Sequence, residues 1–425
     1  MQLVEQHVIN QNNPRFQTID EAAFASKNLY NAANYIIRQE FIKNNRYIPY
    51  SRLAKQMKDT DEYSFLPAKV AQQVLRILDK NWQSFFAAIE EWKANPSKFN
   101  GRPRLPKYKD KQKGRNLLIY TIQAISKPQL KKGIIKPSGL DIYVKTKQKE
   151  VNQVRIVPRK THYVIEVIYT QQEIQAEVNK NYIAGVDIGL NNLAAVASNK
   201  PGFVPLLVNG RPLKSINQFY NKRRAQLVSQ LMEGVSGEGP ACSEIEFPQK
   251  GTSTKPDRSA LSSTRIQRLT LKRNHRIKHE LHVASFNIID HLVKEQIGTL
   301  VIGKNKNWKL KIKIGSRNNQ NFVSIPHARF VDMLKYKAEL QGIKVYTTEE
   351  GYTSKCSFLD RETIEKHDVY MGRRIKRGLF RSKSGILINA DINGACNIIR
   401  KVAPNAFADG VEGAVVRPLK VTFKN

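Results

Sequence analysis

The chain has 425 residues, with 71 Lys and Arg against 36 Asp and Glu, giving a formal net charge of +35. A surplus that large predicts a polyanionic partner, and a hydrophobic content of 40% excludes a mere disordered basic tail. The length allows about two or three domains. No apolar run reaches the roughly 18 residues of a membrane span, and Met1–Ile9 lacks signal-peptide architecture. No membrane partner is therefore expected. Cys242, Cys356 and Cys396 are widely spaced and form no C-x-x-C pair, which fits a reducing cytosol and predicts a cytoplasmic protein.

In chain order, Met1 to Ile9 alternates weakly as a first strand. Asp20 to Asn44 turns helical, with Phe24, Leu29, Ala33, Ile36, Ile37 and Phe41 as its apolar stripe. Tyr50 to Met57 reads as a short helix. Pro67 opens a longer one carrying Val70, Val74, Leu75, Leu78, Trp82, Phe85, Phe86 and Ile89 at three- and four-residue spacing. Its aromatics suit a core better than a base-stacking platform. Lys98 to Arg115, K-F-N-G-R-P-R-L-P-K-Y-K-D-K-Q-K-G-R, mixes breakers with bases and two aromatics. It predicts a phosphate-tracking arm, with Arg102, Arg104, Lys107 and Lys109 as contacts. Strand-like runs at Leu117–Ile125, Leu140–Val144, Gln153–Val157 and His162–Tyr169 then suggest a small β-barrel with the helices inserted into it. The expected division is a barrel over 1–18 and 96–180, and a helical insertion over 19–95.

The second half begins with three short apolar runs in tandem. The first ends in A-G-V-D-I-G-L-N-N, Ala184 to Asn192, and places Asp187 at the end of a strand. A carboxylate inside an apolar strand is costly to bury unless a cation meets it. A basic helix from Leu213 to Met232 carries Lys222 and Arg223, and the Gly/Ser/Pro-rich stretch 233–263 predicts a flexible loop. A long helix from about Thr264 to Glu295 sets one apolar stripe against a basic one of Arg265, Arg268, Lys272, Arg273 and Arg276, expected to meet phosphates. Two further strands, Thr299–Gly303 and Ile343–Thr347, flank a helix. Near the C-terminus N-A-D-I-N-G-A-C-N-I-I-R puts Asp391 at the start of a last helix. An Asp on a first strand and another on a last helix resemble a ribonuclease-H-like nuclease core. That chemistry gathers carboxylates around two hard cations about 3.5–4 Å apart. The fold class expected is therefore α/β plus β-barrel.

On these residues the family resemblance can be stated. G-V-D-I-G-L-N-N (Gly185–Asn192), Y-T-S-K-C-S (Tyr352–Ser357) and A-D-I-N-G-A-C-N-I (Ala390–Ile398) are similar to the motifs of TnpB, a transposon-encoded RNA-guided DNA nuclease related to type V CRISPR effectors. The resemblance implies a wedge barrel with a helical recognition insertion and a RuvC-like nuclease domain over 181–425. It implies a guide RNA, a double-stranded DNA target and an RNA–DNA heteroduplex as partners. It also implies Mg²⁺ or Mn²⁺, as two ions, held by carboxylates.

Two departures stand out. The family's fourth strand ends in Glu, whereas this chain reads Ile302-Gly303-Lys304-Asn305. The family's two Cys-x-x-Cys pairs are reduced to Cys356, so the region 353–389 is a degenerate zinc ribbon. Structural zinc, which takes four ligands, is not expected there, even with Asp360 and His367 nearby. The missing Glu leaves two readings. In one the protein binds DNA through its guide without cutting, as a repressor. In the other an acid from the neighbouring fifth strand has taken over: Glu350 first, because Gly351 frees the backbone to turn it inward, and Glu349 second. Asp187, Glu350 and Asp391 are the metal-binding set of that reading, with Glu349 as the alternative catalytic acid.

Overall fold

The computed structural model describes residues 1–235, 262–305, 315, 319–320, 323–408 and 418–423. The chain divides into two compact units, Met1–Gln171 and Gln172–Asn425.

In the first unit β1 (Gln2–Asn10) is followed by four helices: α1 (Phe16–Asn44), α2 (Tyr50–Met57), α3 (Asp61–Ser64) and α4 (Ala68–Ala94). After them come β2 (Leu118–Thr121), α5 (Lys127–Lys131), β3 (Ile134–Ile135), β4 (Val144–Lys145), β5 (Gln153–Pro158) and β6 (His162–Thr170). The strands form an open antiparallel sheet in the order β1-β6-β5-β2, with β3 and β4 as a separate ribbon. The expected barrel is thus not closed. Alternating sequence specifies that one face of a sheet is buried and says nothing about whether its edges meet. Trp82 is fully buried and donates from Nε1 to Asn34 Oδ1 at 3.0 Å, with Phe41 packed edge-on at 5.4 Å. Trp82 is core, as the helical spacing predicts, and Phe85 and Phe86 pack against that core half-buried.

In the second unit β7 (Asn179–Asp187), β8 (Asn192–Ser198) and β9 (Leu206–Asn209) form a meander. They are followed by α6 (Arg211–Val235), α7 (Thr264–Lys294), β10 (Ile297–Gly303), α8 (His327–Leu340) and β11 (Lys344–Thr348). A small antiparallel sheet, β12 (Arg373–Lys376), β13 (Leu379–Arg381) and β14 (Leu387–Asn389), precedes α9 (Ala390–Val402), and β15 (Leu419–Val421) ends the unit. The main sheet runs β11-β10-β7-β8-β9-β15, with β10 parallel to β7 and β11 parallel to β10. Its first five strands have the ribonuclease-H-like order, and β15 adds a sixth, parallel to β9. Most of the expected loop, residues 236–261 with Cys242, lies outside the described residues.

Alternation along the meander sorts the two faces. Ala194, Val196 and Val208 join the core with Leu281 and Ile288 of α7 and Leu334 of α8. Ala195, Ala197 and Leu207 point the other way, to Ile392, Ala395 and Cys396 of α9. Gly185 explains how close α9 comes to the sheet. A Cβ there would lie 2.3 Å from the Ala395 carbonyl oxygen and 2.7 Å from Ile399 Cγ1.

Candidate active site

The parallel register levels three strand ends. Ile302 pairs with Val186 and Gly303 with Thr348, so Asp187, Gly303 and the Thr348–Glu350 turn share one edge of the sheet. Helix α9 begins beside that edge. Its cap Asn389 accepts from the backbone N–H of Asp391 at 3.0 Å and of Ile392 at 3.3 Å, which fixes the first turn carrying Asp391. Gly394, one turn on, lets Asp187 lie against the helix: a Cβ there would sit 2.7 Å from Asp187 Oδ2.

The structure brings Asp187, Glu350 and Asp391 together electrostatically. Burial, then the Glu350 and Asp391 carboxylates, hold Asp187 well above the usual carboxylate range, with Arg374 pulling the other way. Burial pushes Glu350 up to about 7 against the opposing pull of Lys401. Glu349 is not part of the group. It is exposed, and its carbonyl accepts from Lys401 Nζ at 3.0 Å.

Three residues that motif reading did not single out shape the acids. Asn192 donates to Asp391 Oδ2 at 2.7 Å. Asn305 donates to Glu350 Oε2 at 3.0 Å and accepts from the Glu350 N–H at 2.8 Å. Arg374, on β12, lies 3.4 Å from Asp391 Oδ1. So exposed a pair adds little stability, and the importance of Arg374 is its charge beside the acids. Asn192 stands within the quoted motif and Asn305 two residues beyond Gly303, so both had a signal. Arg374 had none, because only tertiary folding brings its strand to the site.

Among the described residues no three His, Cys, Asp or Glu side chains converge closely enough to hold a metal ion as they stand. The donor set nevertheless suits a hard divalent cation, being all carboxylate without thiolate or imidazole. Among the described residues Glu350 Oε1 is buried with no hydrogen-bond partner, an oxygen with lone pairs free to accept.

Hydrogen bonds tie the stretch 353–389 together. Cys356 is buried and its thiol donates to the Glu365 carbonyl at 3.6 Å. Asp360 accepts from the Lys383 N–H at 2.7 Å, and His367 pairs with Thr363. The turn is held by buried Glu362, which accepts from the N–H groups of Ser357 (2.6 Å) and Met371 (2.8 Å). Asn393 and Asn397 of α9 both donate to the Cys356 carbonyl.

The basic residues fall into two groups. On the first unit Arg102, Arg104, Lys107 and Lys109 are exposed on an arm strapped to α1. Asn34 and Arg38 donate to the Pro106 carbonyl, and Asn31 exchanges two hydrogen bonds with Lys109. Arm and helices border a cleft of about 610 Å³ lined by Arg38, Phe41, Phe85, Arg102, Arg104 and Lys107. On the second unit Lys222, Arg223, Arg265, Arg268, Lys272 and Arg276 are exposed. Arg273 differs. Its guanidinium is half-buried and donates to Asn217 Oδ1 and the Ser324 carbonyl, which commits it to packing.

Strand order, levelled strand ends and an acid-bearing last helix define a ribonuclease-H-like fold. Residues 327–398 match the family described as Cas12f1-like, TNB domain. The chain is 25% identical over 229 residues to a TnpB-like protein, ORF457, of Acidianus two-tailed virus. That match covers 53% of this chain and 43% of the viral protein, less than half the relative's length. The fold is similar to that of the protein in the cryo-EM structure of a Cas12f1-sgRNA-target DNA complex. There the TM-score is 0.54 at 16% identity, over 90% of this chain and 83% of the other. These likenesses agree with the TnpB resemblance carried by the motifs. Among the described residues no helix is long and apolar enough to cross a membrane.

Proposed function

We propose that this chain is an RNA-guided DNA endonuclease of a transposable element, which binds a guide RNA and cuts matched double-stranded DNA. The observation that carries the reading is the coupling of Asp187, Glu350 and Asp391 at one sheet edge of a protein with a net charge of +35. Asp187, Glu350 and Asp391 would hold Mg²⁺ or Mn²⁺. Such ions, when bound, activate water and stabilise the leaving oxygen of a phosphodiester. The chain's own groups do the rest. Asn192 holds one oxygen of Asp391, Arg374 offers a guanidinium to the phosphate, and Glu349 stays in solvent. The exposed bases of the arm, α6 and α7 track the guide RNA and the RNA–DNA heteroduplex. Residues 1–18 and 96–180 serve as the wedge, 19–95 as the recognition helices and 181–425 as the nuclease. The TnpB-like name of the viral relative and the guide and target in the Cas12f1 complex support this reading.

A second reading, guided binding without cleavage, is favoured by one observation: the fourth strand ends in Gly303 rather than an acid. Guide-loaded protein offered a matched target beside a randomised flank, with binding and cutting scored separately, decides between them. Metal-dependent cutting abolished by EDTA is expected. Binding without cutting selects the second reading, and purified protein free of RNA counts against both.

A further inference from the structure

Gly303 and Asn305 close the end of β10, and both address Glu350. A Cβ at 303 would stand 2.6 Å from Glu350 Oε1 and 2.7 Å from its Cγ. The Glu350 side chain therefore fills the volume that any side chain at the end of β10 would need. Asn305 grips the same residue twice, through the backbone N–H at 2.8 Å and through Oε2 at 3.0 Å. The Lys304 N–H donates to the Thr348 carbonyl at 2.8 Å, so the loop ends are already joined without the Asn305 side chain. Its bond to Oε2 is extra to that closure. The bond fixes the rotation of the carboxylate and leaves Oε1 buried, without a partner among the described residues.

We propose that Gly303 and Asn305 form a seat that presents Glu350 Oε1 to a divalent cation, with Asn305 as its positioning residue. The proposal rests on the reading of Glu350 as the third metal-binding acid. It accounts for the absence of an acid from β10: the strand that lost it provides the space and the clamp for its replacement. A free glutamate at a strand exit would sample many rotamers, whereas one pinned at Oε2 offers a single oxygen in one direction. Partners that orient a ligand in this way typically change metal affinity by about 10- to 100-fold when removed.

The test is Mn²⁺ binding by the full-length protein, freed of nucleic acid at high salt and followed by electron paramagnetic resonance of the free ion. Wild type, Asn305→Ala, Glu350→Gln and the double variant are compared, with thermal midpoints in parallel. Asn305→Ala is expected to weaken Mn²⁺ binding about tenfold or more. In the Glu350→Gln background the same change should have little further effect, because Asn305 acts through Glu350. Wild-type affinity in Asn305→Ala overturns the proposal, as does an undiminished loss in the Glu350→Gln background. Should Glu350→Gln itself bind Mn²⁺ like wild type, the assignment of Glu350 falls and this proposal with it, a result recognisable apart from the others. If Asn305→Ala fails to fold, Gly303→Ala takes its place. Its methyl group would press on Glu350 Oε1 and Cγ, and a comparable loss of affinity is expected. Unchanged affinity would again overturn the seat.

Discussion

On the β7–α9 side of the acidic site, Asp187 and Asp391 sit on regular elements: Gly185 is pressed against the Ala395 backbone carbonyl, and Gly394 against the Asp187 side chain. On the β10–β11 side Glu350 lies just past a strand and is held by two hydrogen bonds with the Asn305 side chain, one donated and one accepted. The first wall is rigid because moving an acid there means moving a strand or a helix. The second is a loop device, in which a substitution can shift a carboxylate without disturbing the core. An acid that migrates between strands should do so on the loop side. The end of β10 faces Glu350 and the end of an Ile398 side chain, rather than a packed backbone.

The comparison would break most visibly at the aspartates. Asp187→Ala and Asp391→Ala should each lower target cleavage by about 1,000-fold or more, roughly 4 kcal/mol of barrier, with guide-RNA binding unchanged. Retained cleavage in either would remove that residue from the site. Next in size, Glu350→Gln should cost about 100-fold, because Gln keeps shape but loses the charge a hard cation demands. Glu349→Gln should stay within about twofold. Equal losses in the two would mean that the strand end, rather than one side chain, matters.

The two walls are also separable by stability. Gly185→Ala would drive a methyl group into the Ala395 carbonyl, a backbone atom that cannot step aside. Melting should show a loss of about 1–3 kcal/mol, the usual range for overpacking. Gly303→Ala meets side-chain atoms of Glu350 and Ile398 rather than backbone, and should cost less stability while weakening metal binding. Equal destabilisation would erase the distinction drawn between the walls.

The same difference governs how much could be read from sequence. Asp187 and Asp391 announce themselves because an acid interrupts an apolar strand or opens an apolar helix, and the strand order follows from the run of elements. Glu350 was legible through a deficit, the glycine at 303, together with the narrow spacing of neighbouring strands. Arg374 was not legible, since β12 reaches the acids only through the tertiary path of residues 353–389. The open sheet of the first unit escaped for a related reason: period-two alternation is the same in a barrel and in an open sheet. Arg273 looked like its basic neighbours on α7, and only the packing of α6 reveals that its guanidinium is engaged.

The smallest expected effect concerns pH. Glu350 is raised to about 7 from the ordinary 4.5. Facing it or its cluster are Asp187 from β7, Asp391 and Lys401 from α9, and Arg374 from β12. Between those two pH values the folded protein holds a proton that the unfolded chain has released. Stability of the metal-free protein must then fall as pH rises through that window. Asp187, also raised, acts in the same direction. In EDTA the thermal midpoint should decline from about pH 5 to pH 8, and Glu350→Gln, which has no proton to lose, should flatten part of the decline. Adding Mg²⁺ should restore the midpoint most at the upper end, where the acids are ionised and repel one another. The aspartate wall is common to both proteins, so the difference between the two curves isolates the loop wall. Identical curves would mean that Glu350 ionises freely in the folded state and is not held in the enclosed seat beside Gly303.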